Sequence, residues 1–92
     1  MLFRTRQGII CQKIDDEMVL LDRRREQIHQ LNSVASFIWE NLSIGTEVDD
    51  IVQLLTKHYT VDETTARNDV EQLISELQQK ELIEGVHHEK DA

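Results

Sequence analysis

The hydrophobic pattern changes period once, at Asn32. Before it, apolar residues come in short runs separated by charged breaks. Ile9-Ile10-Cys11-Gln12-Lys13-Ile14 reads as one strand. Met18-Val19-Leu20-Leu21 reads as a second, bounded by Asp15-Asp16-Glu17 and Asp22-Arg23-Arg24-Arg25. Glu26-Gln27-Ile28-His29-Gln30-Leu31 reads as a third and is mostly polar, which suits a sheet edge. After Asn32 the period is helical. Asn32 is a good N-cap for a stripe of Ala35, Ile38, Trp39 and Leu42, and Gly45 stops that helix. Thr46 and Asp49 have capping-box spacing for a second helix, whose apolar face is Val48, Ile51, Val52, Leu55 and Tyr59. Thr60-Val61-Asp62 turns the chain and caps a third helix with the stripe Ala66, Val70, Leu73, Ile74 and Leu77. Leu82-Ile83 closes the packed part. The expectation is one α+β domain over residues 1–84, a winged-helix-like arrangement of a three-stranded antiparallel sheet followed by three helices. Residues 85–92 are expected to form a frayed polar tail.

Composition narrows the function. Ninety-two residues leave room for one modest core. No apolar run approaches the roughly 20 residues needed to span a bilayer, and no signal-peptide core follows Arg4 and Arg6. Cys11 is the single cysteine, which fits a reducing cytoplasm. The net charge is −8, unevenly spread: residues 1–31 carry +1 and residues 32–92 carry −9. That field disfavours binding to nucleic acid.

Candidate chemistry is sparse. The glycines at 8, 45 and 85 are too far apart for a phosphate loop. Cys11 is expected to be a small buried strand residue. His29 and His58 have no partner at ligand spacing, and the adjacent His87-His88 pair cannot fix a metal geometry. Trp39 and Tyr59 fall on apolar stripes and are expected in the core. Arg23-Arg24-Arg25 reads as a solvated hairpin loop or as a positive patch, and three like charges in a tight turn call for a counter-charge from elsewhere. The segment from Ile51 to Ile83 has a helix-turn-helix rhythm, so a winged-helix transcription regulator is the alternative reading. Its third helix, however, carries Glu63, Asp69, Glu71 and Glu76, which phosphates would repel.

The order Val19-Leu20-Leu21, Leu31-Asn32, Ala35, Ile38-Trp39, Gly45-Thr46, Ile51, Leu54-Leu55, Tyr59, Asp69-Val70, Leu73, Leu77 and Leu82-Ile83 resembles the coenzyme PQQ synthesis protein D (PqqD) family. Ser43-Ile44-Gly45 and Glu81-Leu82 depart from the Cys-Asp-Gly and Gly-Trp of the PQQ-pathway members. Leu21-Asp22 and Ile38-Trp39 look more like the stand-alone domains of lasso-peptide clusters. The resemblance implies a non-catalytic peptide chaperone without cofactor or metal. It would bind the leader of a ribosomal precursor peptide as an added strand and present it to a modifying enzyme, such as a radical-SAM protein or a leader peptidase. The expected site is the third strand, Glu26, Gln27, Ile28, His29, Gln30 and Leu31, walled by Arg67, Val70, Leu73 and Ile74 of the third helix. Ile28 and the three apolar helix residues would form pockets; Gln27, His29 and Arg67 would read polar or acidic leader side chains. An open edge of this kind also invites homodimerisation.

Overall fold

The structure, a computed structural model, describes residues 1–86. Its elements run β1 (Leu2–Thr5), β2 (Ile9–Ile14), β3 (Glu17–Asp22), β4 (Gln27–Leu31), α1 (Ser33–Ser43), α2 (Val48–Tyr59), α3 (Glu63–Gln79) and β5 (Ile83–Val86). The central sheet is antiparallel in the order β2-β3-β4, as the apolar runs predict. The class is α+β.

The ends of the chain depart from expectation. β1 and β5 form a second, two-stranded antiparallel sheet in which Phe3 faces Gly85. Gly85 and Val86 are therefore strand residues and not the start of a frayed tail. The Phe3 ring covers Gly85, its Cε1 3.9 Å from where a Cβ would sit. Such pairing joins residues some 80 positions apart, which a local pattern cannot show. The expectations for the His87-His88 pair and the rest of the tail lie outside the described residues.

Helix boundaries follow local chemistry. The Asn32 side chain accepts from the Ala35 N–H at 2.8 Å, and Asp62 does the same for Thr65. Gly45, at φ 86°, ends α1: its N–H bonds the Leu42 carbonyl and the Thr46 N–H bonds the Asn41 carbonyl. The capping box expected at Thr46 does not form. The residue before α2 is Glu47, which makes no side-chain cap and instead pairs with the N-terminal ammonium of Met1.

Trp39, Ile38 and Leu42 of α1 are buried with Leu20 of β3, Ile51, Val52 and Leu55 of α2, Val70 of α3 and Leu82. α1 rests on β3 and β4. Ser36 fixes that docking. Its buried hydroxyl accepts from the Met18 N–H at 2.7 Å and donates to the Leu31 carbonyl at 3.1 Å, joining two cross-strand partners to the helix. Tyr59 is half-buried and bonds the Ser33 carbonyl, while Phe37 stacks on His58 at 4.6 Å.

β2 is an outer strand of its sheet and mostly exposed, which corrects the expectation for Cys11. This residue is exposed. Its sulfur end lies against Trp39, and burial there pushes the thiol up from its usual range, with the Trp39 hydrogen bond opposing.

Candidate functional site

β4 pairs with β3 along one side. Among the described residues, no strand pairs with its other side. The residues flanking β4 at both ends lie beside α3. The hairpin tip preceding β4 is fastened to the end of α3: Arg24 donates to the Glu81 carbonyl at 2.7 Å, and Arg25 to the Lys80 carbonyl at 3.3 Å and the Glu81 carboxylate. At the far end of β4, Asn32 faces the middle of α3 across a slot. Strand and helix thus run antiparallel, closed at one end and open along their length.

The slot has a volume of about 340 Å³. Val34, Ala35 and Ile38 of α1 line one side, and Asp69, Gln72, Leu73 and Glu76 of α3 the other. Leu73 is half-buried and Ile38 is at its floor, almost wholly buried. This volume is at the small end for a ligand pocket and suits one or two side chains better than a whole molecule.

The arginine run resolves toward structure. Asp22 is completely buried and takes Arg24 by two contacts, at 3.2 and 3.1 Å, plus the backbone N–H groups of Arg24 and Arg25. The counter-charges are therefore Asp22 and Glu81. Glu81 adopts φ 57° just past α3, a left-handed conformation unusual for its residue type, and both arginines hold it there.

The ten expected site residues divide into four groups. Gln27, Ile28, His29 and Gln30 are on β4, with Glu26 in the turn before it at φ 54°. Ile28 is 71% exposed on the outer sheet face, where it continues the cross-strand row Ile10–Leu21. His29 faces inward beside Leu20, and its Nε2 is buried without a hydrogen-bond partner. Gln30 bonds the Glu17 carboxylate at 2.9 Å. Leu31, Val70 and Ile74 are core residues, and their side chains present almost nothing to solvent. Leu73 alone of the helix residues lines the slot. Arg67 lies elsewhere, in a pocket with Met1, Phe3 and Val48, paired to Asp49 at 3.0 Å and Glu63 at 3.5 Å. The Asp49 carboxylate raises its pKa. Asp69, Gln72 and Glu76 were not anticipated. They sit at the same helical spacing as Leu73, on the flank of the core stripe, and a charged flank by itself carries no signal for a cleft.

These features define a small α+β domain with an open sheet edge beside a helix-walled slot. The chain belongs to the PqqD family: the sequence model of Coenzyme PQQ synthesis protein D (PqqD) matches residues 17–83. Two solved structures share the fold at a TM-score of 0.85. One is TbiB1 in complex with the TbiA(beta) leader peptide, 32% identical over 92% of this chain and 99% of that one. The other is lasso peptide synthetase B1 complexed with the leader peptide, 34% identical over 92% and 100%. Among curated proteins, none matches this sequence. Among the described residues, no helix is long and apolar enough to cross a membrane, and no group of three metal-ligating side chains is assembled.

Proposed function

We propose that this protein binds the leader segment of a ribosomally made precursor peptide, of the lasso class, and presents it to the modifying enzyme. Its contribution is binding and not catalysis. The observation that carries this reading is the unpaired side of β4, whose C-terminal end leads at Asn32 into the slot between α1 and α3. An extended peptide laid there satisfies the strand's outward N–H and C=O groups, and the slot takes one of its side chains. Leader binding by the two structural neighbours, at 32% and 34% identity over nearly their whole length, supports it. Ordering a flexible leader costs about 2–5 kcal/mol of the gross interaction. A short added strand with a few seated side chains then leaves roughly micromolar affinity, about −8 kcal/mol, which lets the cargo be handed on.

The test is an NMR titration of the labelled protein with the leader of its precursor, and with edge variants. Adjacent residues of an antiparallel strand alternate between bonding the neighbour and pointing outward. One of Ile28→Pro and His29→Pro therefore removes an outward donor while leaving the β3–β4 ladder intact. Shifts confined to residues 26–31 and the Asp69–Glu76 face, and at least a tenfold loss of affinity in the folded proline variant, are expected. Unchanged affinity in both folded variants would refute strand addition.

A further inference from the structure

The slot's chemistry specifies what kind of side chain it takes. Asp69 and Glu76 are seven residues apart, about 10 Å along the helix axis, with Leu73 between them. Ile38, Val34 and Ala35 complete an apolar lining. Both carboxylates are exposed, and among the described residues no cation lies within ion-pairing distance of either. Arg67 is committed to Asp49 and Glu63, Arg24 to Asp22 and Arg25 to Glu81, and Lys80, one turn after Glu76, makes no ion pair among the described residues. The expected reader of acidic leaders, Arg67, is thus absent from the slot, and the electrostatics of the site are the reverse of what the sequence pattern suggested.

We infer that the bound peptide carries a lysine or arginine whose aliphatic stem lies on Leu73 and Ile38 and whose charge meets Asp69 and Glu76. This rests on the strand-addition reading above. The acidic pair does not make the site; the open edge and the apolar floor of the slot do, and the pair sets its selectivity. A lysine or arginine combines an apolar stem with a charged head that stays in water, which is the order of surfaces met from the floor of the slot to its rim. A purely apolar side chain fills the floor and leaves the carboxylates hydrated. An acidic one is repelled at the rim. The field of residues 32–92, at −9, acts in the same direction.

The experiment is selection from a displayed library of random dodecapeptides, run on three proteins: the native chain, Asp69→Asn with Glu76→Gln, and the folded proline edge variant. The native chain is expected to enrich Lys or Arg at one position fixed relative to its apolar anchors. The neutralised variant keeps the anchors and loses that enrichment. On a selected peptide, changing the cationic residue to Met weakens binding to the native chain about threefold to fivefold, the scale of an exposed ion pair, and leaves binding to the neutralised variant unchanged. Edge-dependent peptides without a cationic position, or a cationic position insensitive to neutralisation, would overturn this inference while the strand-addition reading stands. If no pool depends on the edge, the reading fails and the inference fails with it. Melting curves of the three proteins confirm that each is folded.

Discussion

Asp22 is buried to the last atom, yet every direction around its carboxylate is answered by a donor: the Arg24 guanidinium and the backbone N–H groups of Arg24 and Arg25. The Arg24 hydrogen bond, against the opposing effect of burial, holds its pKa below the usual aspartate range. The unfolded chain then binds the proton more readily than the folded one, so stability rises with pH between the folded and unfolded values. The contribution is fully present above about pH 4–5 and is lost as pH falls through the folded value. Asp22→Asn is expected to lower Tm by several degrees at pH 7, with the gap from the native protein closing in melts below pH 4. A gap independent of pH would remove the charge from the explanation. Gly8 belongs to the same cluster. At φ 88° it accommodates the Arg24 stem, which lies 3.1 Å from where its Cβ would be, so a side chain there would displace the arginine from Asp22.

At the level of elements, caps separate the helices whose starts were legible from the one whose start was not. Asn32 and Asp62 cap α1 and α3 as their residue types suggest. Thr46 matches the pattern for α2 without performing it, because α2 begins two residues later and Glu47 is drawn to the N-terminal ammonium. Asn32→Ala should cost about 1 kcal/mol of stability, and Thr46→Ala less than about 0.5 kcal/mol, measured by urea denaturation of both variants. Equal losses would mean that Thr46 acts through a contact other than a cap. The same scale explains β4. Its polar outer positions left its backbone free to stay unpaired at an edge, and that much was legible in residues 26–31. That its inner residue Leu31 would be core while His29 kept a buried, unpartnered Nε2 depended on how far α1 covers the strand.

Across the whole molecule, β1 and β5 bring the two ends of the described chain together and bury Phe3 and Ile83 against the helices. Arg6 extends the contact by donating its N–H to the Leu82 carbonyl at 3.0 Å, and Arg4 pairs with Glu84 at 2.6 Å. A domain this small has little core to spare. Phe3→Ala is expected to cost about 3 kcal/mol or more and to lower Tm by more than about 10 °C. A shift of only a degree or two would show that the second sheet is dispensable.

The three central strands, the three helices after them, the helix stripes and the α+β class followed from the sequence, because period, caps and polar breaks are local properties of a chain. So did the family, through residues whose spacing is itself a record of that packing. The rest needed tertiary structure. Val70, Leu73 and Ile74 share one stripe, and only the docking of α3 against α1 and α2 decides that Leu73 faces the slot while its neighbours are buried in the core. Arg67 is two residues before that face begins at Asp69, about 200° around the helix from it, and that rotation sends it to Asp49. Whether a charged residue on a helix reads a ligand or braces its own fold depends on which partner the fold brings within reach, and that is a long-range property.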